Sequence, residues 1–155
     1  MTRIRIGLAG LLLLASCTDS GPPRLSVRDA WTRETVPGQT AAAVYLTIDN
    51  EGGRDRLVQV WTPAAASASL HSSSNDGGVA RMRPLPDGLE IPAGGRVVLK
   101  PGGDHIMLTG LGLVLRRGDG IALRLGFERS DARTVRVRIV DAASTGAVEA
   151  THERH

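Results

Sequence analysis

The 155-residue sequence predicts an all-β domain, a Greek-key sandwich or barrel. Its dominant hydrophobic period is two: Val44-Leu46-Ile48, Leu123-Leu125-Phe127 and Val135-Val137-Ile139 each alternate with polar or small residues, as half-buried strands do. Turn signals recur at short intervals, at Pro37-Gly38, Asn50 to Gly53, Asn75 to Gly78, Pro86 to Gly88, Ala93 to Gly95, Pro101 to Gly103 and Gly118 to Gly120. No window carries a capped amphipathic helix pattern of useful length; Ala64 to Ala68, after Pro63, is expected to make one turn at most.

The elements follow in order. Residues 1–16 read as an export signal: Arg3 and Arg5 supply a positive start, and the apolar run Ile6 to Leu14 is too short for a stable membrane span. Leu14-Ala15-Ser16-Cys17 resembles a bacterial lipobox, so Cys17 is expected to become the lipid-bearing first residue of the mature protein, with residues 17–23 as its tether. An ordinary signal peptide cleaved nearby is the alternative. Strands are expected near 25–33, 41–49, 56–62, 67–72, 79–84, 96–100, 105–109, 121–128 and 134–141, within one domain over residues 24–141. Residues 142–155 turn polar and small, which suggests a loose tail.

Composition excludes several classes. Cys17 is the only cysteine, so the chain can form no internal disulfide, and a lipidated Cys17 leaves no thiolate for a metal. Without Arg3 and Arg5 the chain carries 17 basic and 16 acidic residues, a balance that gives no argument for nucleic acid. Its aromatic residues are only Trp31, Tyr45, Trp61 and Phe127, too few for a base-stacking surface. No Ser–His–Asp arrangement, phosphate-binding glycine loop or suggestive carboxylate pair marks an enzyme.

The chemistry-bearing residues cluster elsewhere. Apart from Met1 the methionines are Met82 and Met107, each spaced to meet a histidine. His105 and Met107, two apart in a strand, project to one face about 7 Å apart. If Asp76-Gly77 is a two-residue hairpin loop, His71 and Met82 stand directly opposite, and a four-residue loop on the same centre keeps that pairing. Two imidazoles and two thioethers are neutral, soft-to-borderline donors that suit Cu(I) over hard cations and over most divalent first-row ions. A blue copper centre needs a thiolate that this chain lacks. Taken singly, each residue also has a bland reading: Met82 and Met107 as core filler, His105 as a loop hydrogen-bonder after Gly102-Gly103-Asp104, His71 as a surface residue beside three serines.

Several stretches resemble the periplasmic copper(I) chaperones of the PCuAC type. They are Asp29-Ala30-Trp31-Thr32-Arg33, Ala43-Val44-Tyr45-Leu46, Leu70-His71, Met82-Arg83-Pro84, Ile91-Pro92-Ala93-Gly94-Gly95 and Leu99 to Gly103 before His105-Ile106-Met107-Leu108. The resemblance spans about Val27 to Val140 and implies a cupredoxin-like β-sandwich holding one Cu(I) on His71, Met82, His105 and Met107. It further implies a periplasmic protein that delivers the ion to the copper-bearing subunit of cytochrome oxidase, often alongside a Sco-type thiol protein; the lipobox adds a membrane anchor, and a monomer is the default for a carrier that must dock to others. The chain departs from the family pattern by one extra residue between Met82 and His105, by Ala80 where many relatives have methionine, and by a short terminus. His152 and His155 in that terminus could take Cu(II) weakly, against the reading of a plain disordered end. Rival functions are a copper reservoir or detoxification lipoprotein with the same site, and a metal-free lipoprotein interaction module.

Overall fold

The computed structural model describes residues 21–144; the export signal, Cys17, and the tail histidines His152 and His155 lie outside the described residues. Ten strands follow one another: β1 (Leu25–Arg33), β2 (Ala41–Asn50), β3 (Asp55–Trp61), β4 (Ala65–Asp76), β5 (Val79–Pro84), β6 (Leu89–Ile91), β7 (Arg96–Leu99), β8 (Asp104–Leu111), β9 (Gly120–Phe127) and β10 (Arg133–Val140). No helix occurs among the described residues. Two details differ from the sequence reading. β6 has three residues, too few for an alternation to declare itself. Of the Ala64 to Ala68 stretch only Ala64 is in a turn, with Pro63, and residues 65–68 open β4, because Ala65, Ser67 and Ala68 pair with Leu111, Thr109 and Leu108 and a formed ladder overrides weak local preference.

The strands hydrogen-bond in the order β5-β4-β8-β2-β1-β10-β9-β3-β6. β8 pairs with Ala41 to Val44 of β2, and β7 pairs with Leu46 to Asp49 of the same strand. Only the β1–β10 pair is parallel. The inward residues predicted by alternation, Val44, Leu46, Ile48, Leu123, Leu125 and Val137, join Leu57, Leu70, Ile91, Ile106 and Leu108 in a single buried cluster. All ten strands and this core fall within Leu25 to Val140.

A bulge in β1 sets what the outer face presents. Val27 pairs with Ile48 and Arg28 with Thr47, but Trp31 pairs with Tyr45, so β1 holds one residue more than β2 over this stretch. Asp29 absorbs the extra residue at φ 55°, in the left-handed region that Asp tolerates better than most side chains. A one-residue shift exchanges the two faces. Odd-numbered Leu25 and Val27 face the core before the bulge; after it Thr32 is buried inward, and Trp31 and Arg33 share the outer face.

At the far end of β3, Asp55 is buried and its Oδ1 accepts the backbone N–H groups of Arg56 and Arg129, both at 2.8 Å, tying the β9–β10 turn to β3. Burial raises the carboxyl pKa, but these hydrogen bonds and the nearby Ser130 outweigh it and hold the pKa below the ordinary value. Because the folded-state pKa is depressed, the stability Asp55 contributes is present above the unfolded carboxyl's pKa and is lost as pH falls through the folded value. Asp55→Ala should therefore cost about 2 kcal/mol at neutral pH, two part-buried N–H groups losing their acceptor. In urea unfolding, the gap between the variant and the parent should narrow steadily as pH is lowered toward about 3.

Candidate metal centre

Three of the four predicted donors come together through the β4–β8 pairing. In that ladder His71 stands opposite His105 and Ser69 opposite Met107. Leu70, Ile106 and Leu108 take the inward face and are buried in the core, so alternation leaves His71, His105 and Met107 on the outer face. The two imidazole centres are 5.9 Å apart with their planes at 60°. A ring nitrogen lies roughly 1 Å from its centroid, so two such rings can share an ion at about 2.0–2.1 Å from each nitrogen.

The row continues across the sheet. Tyr45 packs beside His105 at 6.4 Å between ring centres, Trp31 packs on Tyr45 at 4.6 Å, and the Arg33 guanidinium lies 5.7 Å above the Trp31 ring. These rings cover one another, which is why Trp31 and Tyr45 are buried although they face away from the core. Burial raises the pKa of the Tyr45 hydroxyl, against the opposing charge of Arg33, so the phenol stays neutral. His105 is thus only 5% exposed, walled by the sheet on one side and by Tyr45 on another.

Hydrogen bonding fixes how His105 presents itself. Its Nδ1 lies 3.0 Å from the carbonyl oxygen of Gly103. A carbonyl only accepts, so Nδ1 carries the proton and the lone pair of the neutral ring resides on Nε2, the arrangement a metal-ligating histidine takes from its outer partner. His71 differs: its Nδ1 is a buried atom with no hydrogen-bond partner. A buried ring nitrogen without a partner is costly, and a bound cation is one way to satisfy it.

Met82 requires a correction. β4 and β5 pair with Asp76 opposite Val79, so the hairpin loop is Gly77-Gly78 and not Asp76-Gly77. Both glycines have positive φ, 61° and 87°, the pair of values a type I′ turn demands and that two glycines adopt without strain. Opposed residues then sum to 155: Met82 faces Ser73, and His71 faces Pro84. A slip of two keeps the face, so Met82 still lies on the side of His71, as its diagonal neighbour about 7–8 Å away at the backbone. Met107 is likewise diagonal to His71, through Ser69. The four predicted donors form a staggered row across three strands, Met82–His71–His105–Met107, with the histidines directly opposed and the two methionines displaced in opposite directions along the strands. Met82 is 55% exposed, on a strand whose residues are all exposed, whereas Met107 is half-buried and lines a cleft of about 240 Å³ with Thr32, Arg33, Gln39, Ala41, Ala43 and Tyr45.

Among the described residues no three His, Cys, Asp or Glu side chains gather around one point. The available donor set is therefore neutral imidazole and thioether, which fits a soft monovalent ion better than zinc or calcium. Sequence spacing did not single out Tyr45, Trp31 or the Gly103 carbonyl as parts of this site. The scarcity of aromatic residues hinted at the first two; the third follows only from the tight Lys100 to Gly103 turn that aims its carbonyl at the ring. At pH 8 without metal, ¹⁵N chemical shifts of the imidazoles should find His105 as the Nδ1–H tautomer. An Nε2–H tautomer there would remove the outer-partner argument.

The family profile described as "Putative lipoprotein LpqE-like" matches residues 25–139. "Putative lipoprotein Lxx21020" of Leifsonia xyli subsp. xyli (strain CTCB07) is 32% identical over 143 residues, covering 89% of this chain and 85% of the relative. Two solved structures share the fold. The copper-bound PCuAC domain from PmoF2 superposes with a TM-score of 0.64 at 23% identity, over 76% of this chain and 92% of that domain. The solution structure of the Cu(I) form of DR1885 from Deinococcus radiodurans does so with a TM-score of 0.60 at 30% identity, over 74% of this chain and 77% of that one. With its matched profile and an all-β architecture that superposes on PCuAC domains, the chain belongs to the LpqE-like family and has the cupredoxin-like PCuAC fold.

Proposed function

We propose that this protein is an exported copper(I) carrier that holds one ion on His71, Met82, His105 and Met107 and releases it by ligand exchange. The observation that carries the reading is the facing histidine pair, with His105 fixed by Gly103 to offer Nε2 and His71 retaining a buried unpartnered nitrogen. The two thioethers diagonal to His71 complete a neutral, soft set. Copper named in two structures of this fold supports the choice of metal. Bound there, Cu(I) would be the cargo. The chain's part is to hold it away from water on the buried side and leave the Met82 side open to an incoming donor. The lipoprotein name of the Leifsonia relative supports export and anchoring through Cys17. The resemblance to copper chaperones points to the copper-bearing subunit of cytochrome oxidase as recipient, and loss of oxidase copper in a strain lacking the protein tests that step.

Anaerobic titration of residues 24–155 against a chromophoric Cu(I) chelator should find one tight equivalent. Met82→Ala with Met107→Ala should abolish it, with the fold intact by circular dichroism. Protons compete with the metal for imidazole, so affinity should fall as pH is lowered from about 7.5 to about 5. Equal weak binding by parent and double variant would leave a metal-free interaction module.

A further inference from the structure

We infer that β5 is a docking edge: a copper acceptor adds an antiparallel strand to it, through an extended acidic segment carrying a sulfur donor opposite Met82. The inference rests on Met82 being a ligand and extends that reading to the partner. β5 ends the sheet order, and β4 is its one strand neighbour among the described residues. The pair that closes a two-residue hairpin is hydrogen-bonded, here Asp76 with Val79, and the same parity recurs where Leu85 N–H donates to the Leu70 carbonyl at 2.9 Å. Steps of two then make Ser74–Arg81 and Ser72–Arg83 hydrogen-bonded pairs, and Ser73–Met82 and Asn75–Ala80 the alternate, non-bonded ones. Ala80 and Met82 therefore aim both N–H and C=O away from β4, at the open edge. A ligand residue thus supplies the free backbone groups that a visiting strand needs.

Geometry and charge then specify the visitor. The residue that exchanges both backbone bonds with Met82 sits about 5.5 Å away at Cα with its side chain on the Met82 face. A thiolate there can bond to Cu(I) as the Met82 thioether leaves, the thiol proton passing to solvent and the metal remaining Cu(I), so no electron is transferred. The visitor's residues on either side of that donor fall on the opposite face, where Arg81 and Arg83 stand. Both arginines are exposed, and Arg81 is only loosely engaged by Asp76 at 3.9 Å. Acidic side chains at those two places are matched. A second copy of this chain is not: antiparallel pairing about Met82 sets Arg81 against the other copy's Arg83 twice over.

The test uses residues 24–155, which contain no cysteine, under anaerobic reducing conditions with a nine-residue peptide bearing Glu-Cys-Glu at its centre and Thr and Val on either side. Amide exchange at Ala80 and Met82 should slow on adding it. Ala80→Pro removes an outward N–H that β4 does not use, and Arg81→Glu with Arg83→Glu reverses the charge; each should weaken peptide binding roughly tenfold. A Lys-Cys-Lys peptide should restore binding to the charge-reversed variant. Cu(I) stoichiometry, measured separately, should be unchanged in both variants, so a protein that binds no copper fails the site reading while the exchange data still decide the edge. Absence of protection at Ala80 and Met82, or affinity unchanged in both variants, overturns the inference. So does concentration-dependent self-association in sedimentation that Ala80→Pro abolishes, which would assign the edge to a second copy.

Discussion

The β4–β8 register is the constraint on which the rest of the site depends. His71 and His105 are 34 positions apart, and no local preference holds them together; the ladder that runs from Ala65–Leu111 to Ser72–Asp104 does. Its inward residues Leu70, Ile106 and Leu108 are fully or almost fully buried, so a slip by one would expel either Leu70 or the pair Ile106 and Leu108 from the core and turn that strand's imidazole inward, away from the other. A slip by two would preserve the faces but part the histidines. The core thus fixes which face the histidines take, and the turns at either end of the ladder fix where along it they meet.

The outer face of a sandwich is normally wet, and a wet histidine pair is a poor place to retain a soft ion. Here the β1 bulge rotates Trp31 onto that face beside Tyr45, and Tyr45 walls His105. One extra residue at Asp29 therefore creates a partly dry row on the polar side of the sheet. The row ends at His71, beyond which the exposed β5 begins. Burial consequently falls from Trp31 and His105 through His71 to Met82, a gradient with a closed end and an open end.

The alternation of Val44-Leu46-Ile48 and its counterparts made the sheet readable from the sequence, since a period of two needs no knowledge of partners. His105 and Met107 were readable as one face for the same reason. The β4–β5 register was misread because Asp76-Gly77 and Gly77-Gly78 are both acceptable type I′ loops, and the choice between them depends on where β4 meets β8. The face of Met82 survived that error because two candidate loops one residue apart shift the pairing sum by two. Asp29, Tyr45 and the Gly103 carbonyl were not readable as site parts, because a bulge and a carbonyl direction follow from long-range pairing and turn geometry rather than from residue type.

Retention and release make opposite demands on a carrier, and the proposed site would divide them between different strands. A buried, hydrogen-bonded imidazole such as His105 has little freedom to leave an ion, since its ring is held by Gly103 and Tyr45. Met82 has no such support: it projects from an edge strand with no core side, and its flexible thioether can move without disturbing a packed neighbour. If all four donors stood on central strands, exchange would require opening the sheet. With Met82 as a ligand, the proposed site would have its most exposed donor on the edge, so the first bond to break would be the one nearest solvent and nearest any strand that joins the sheet there. On the proposed four-donor site, the order of ligand release would follow the strand order, with β8 holding and β5 yielding.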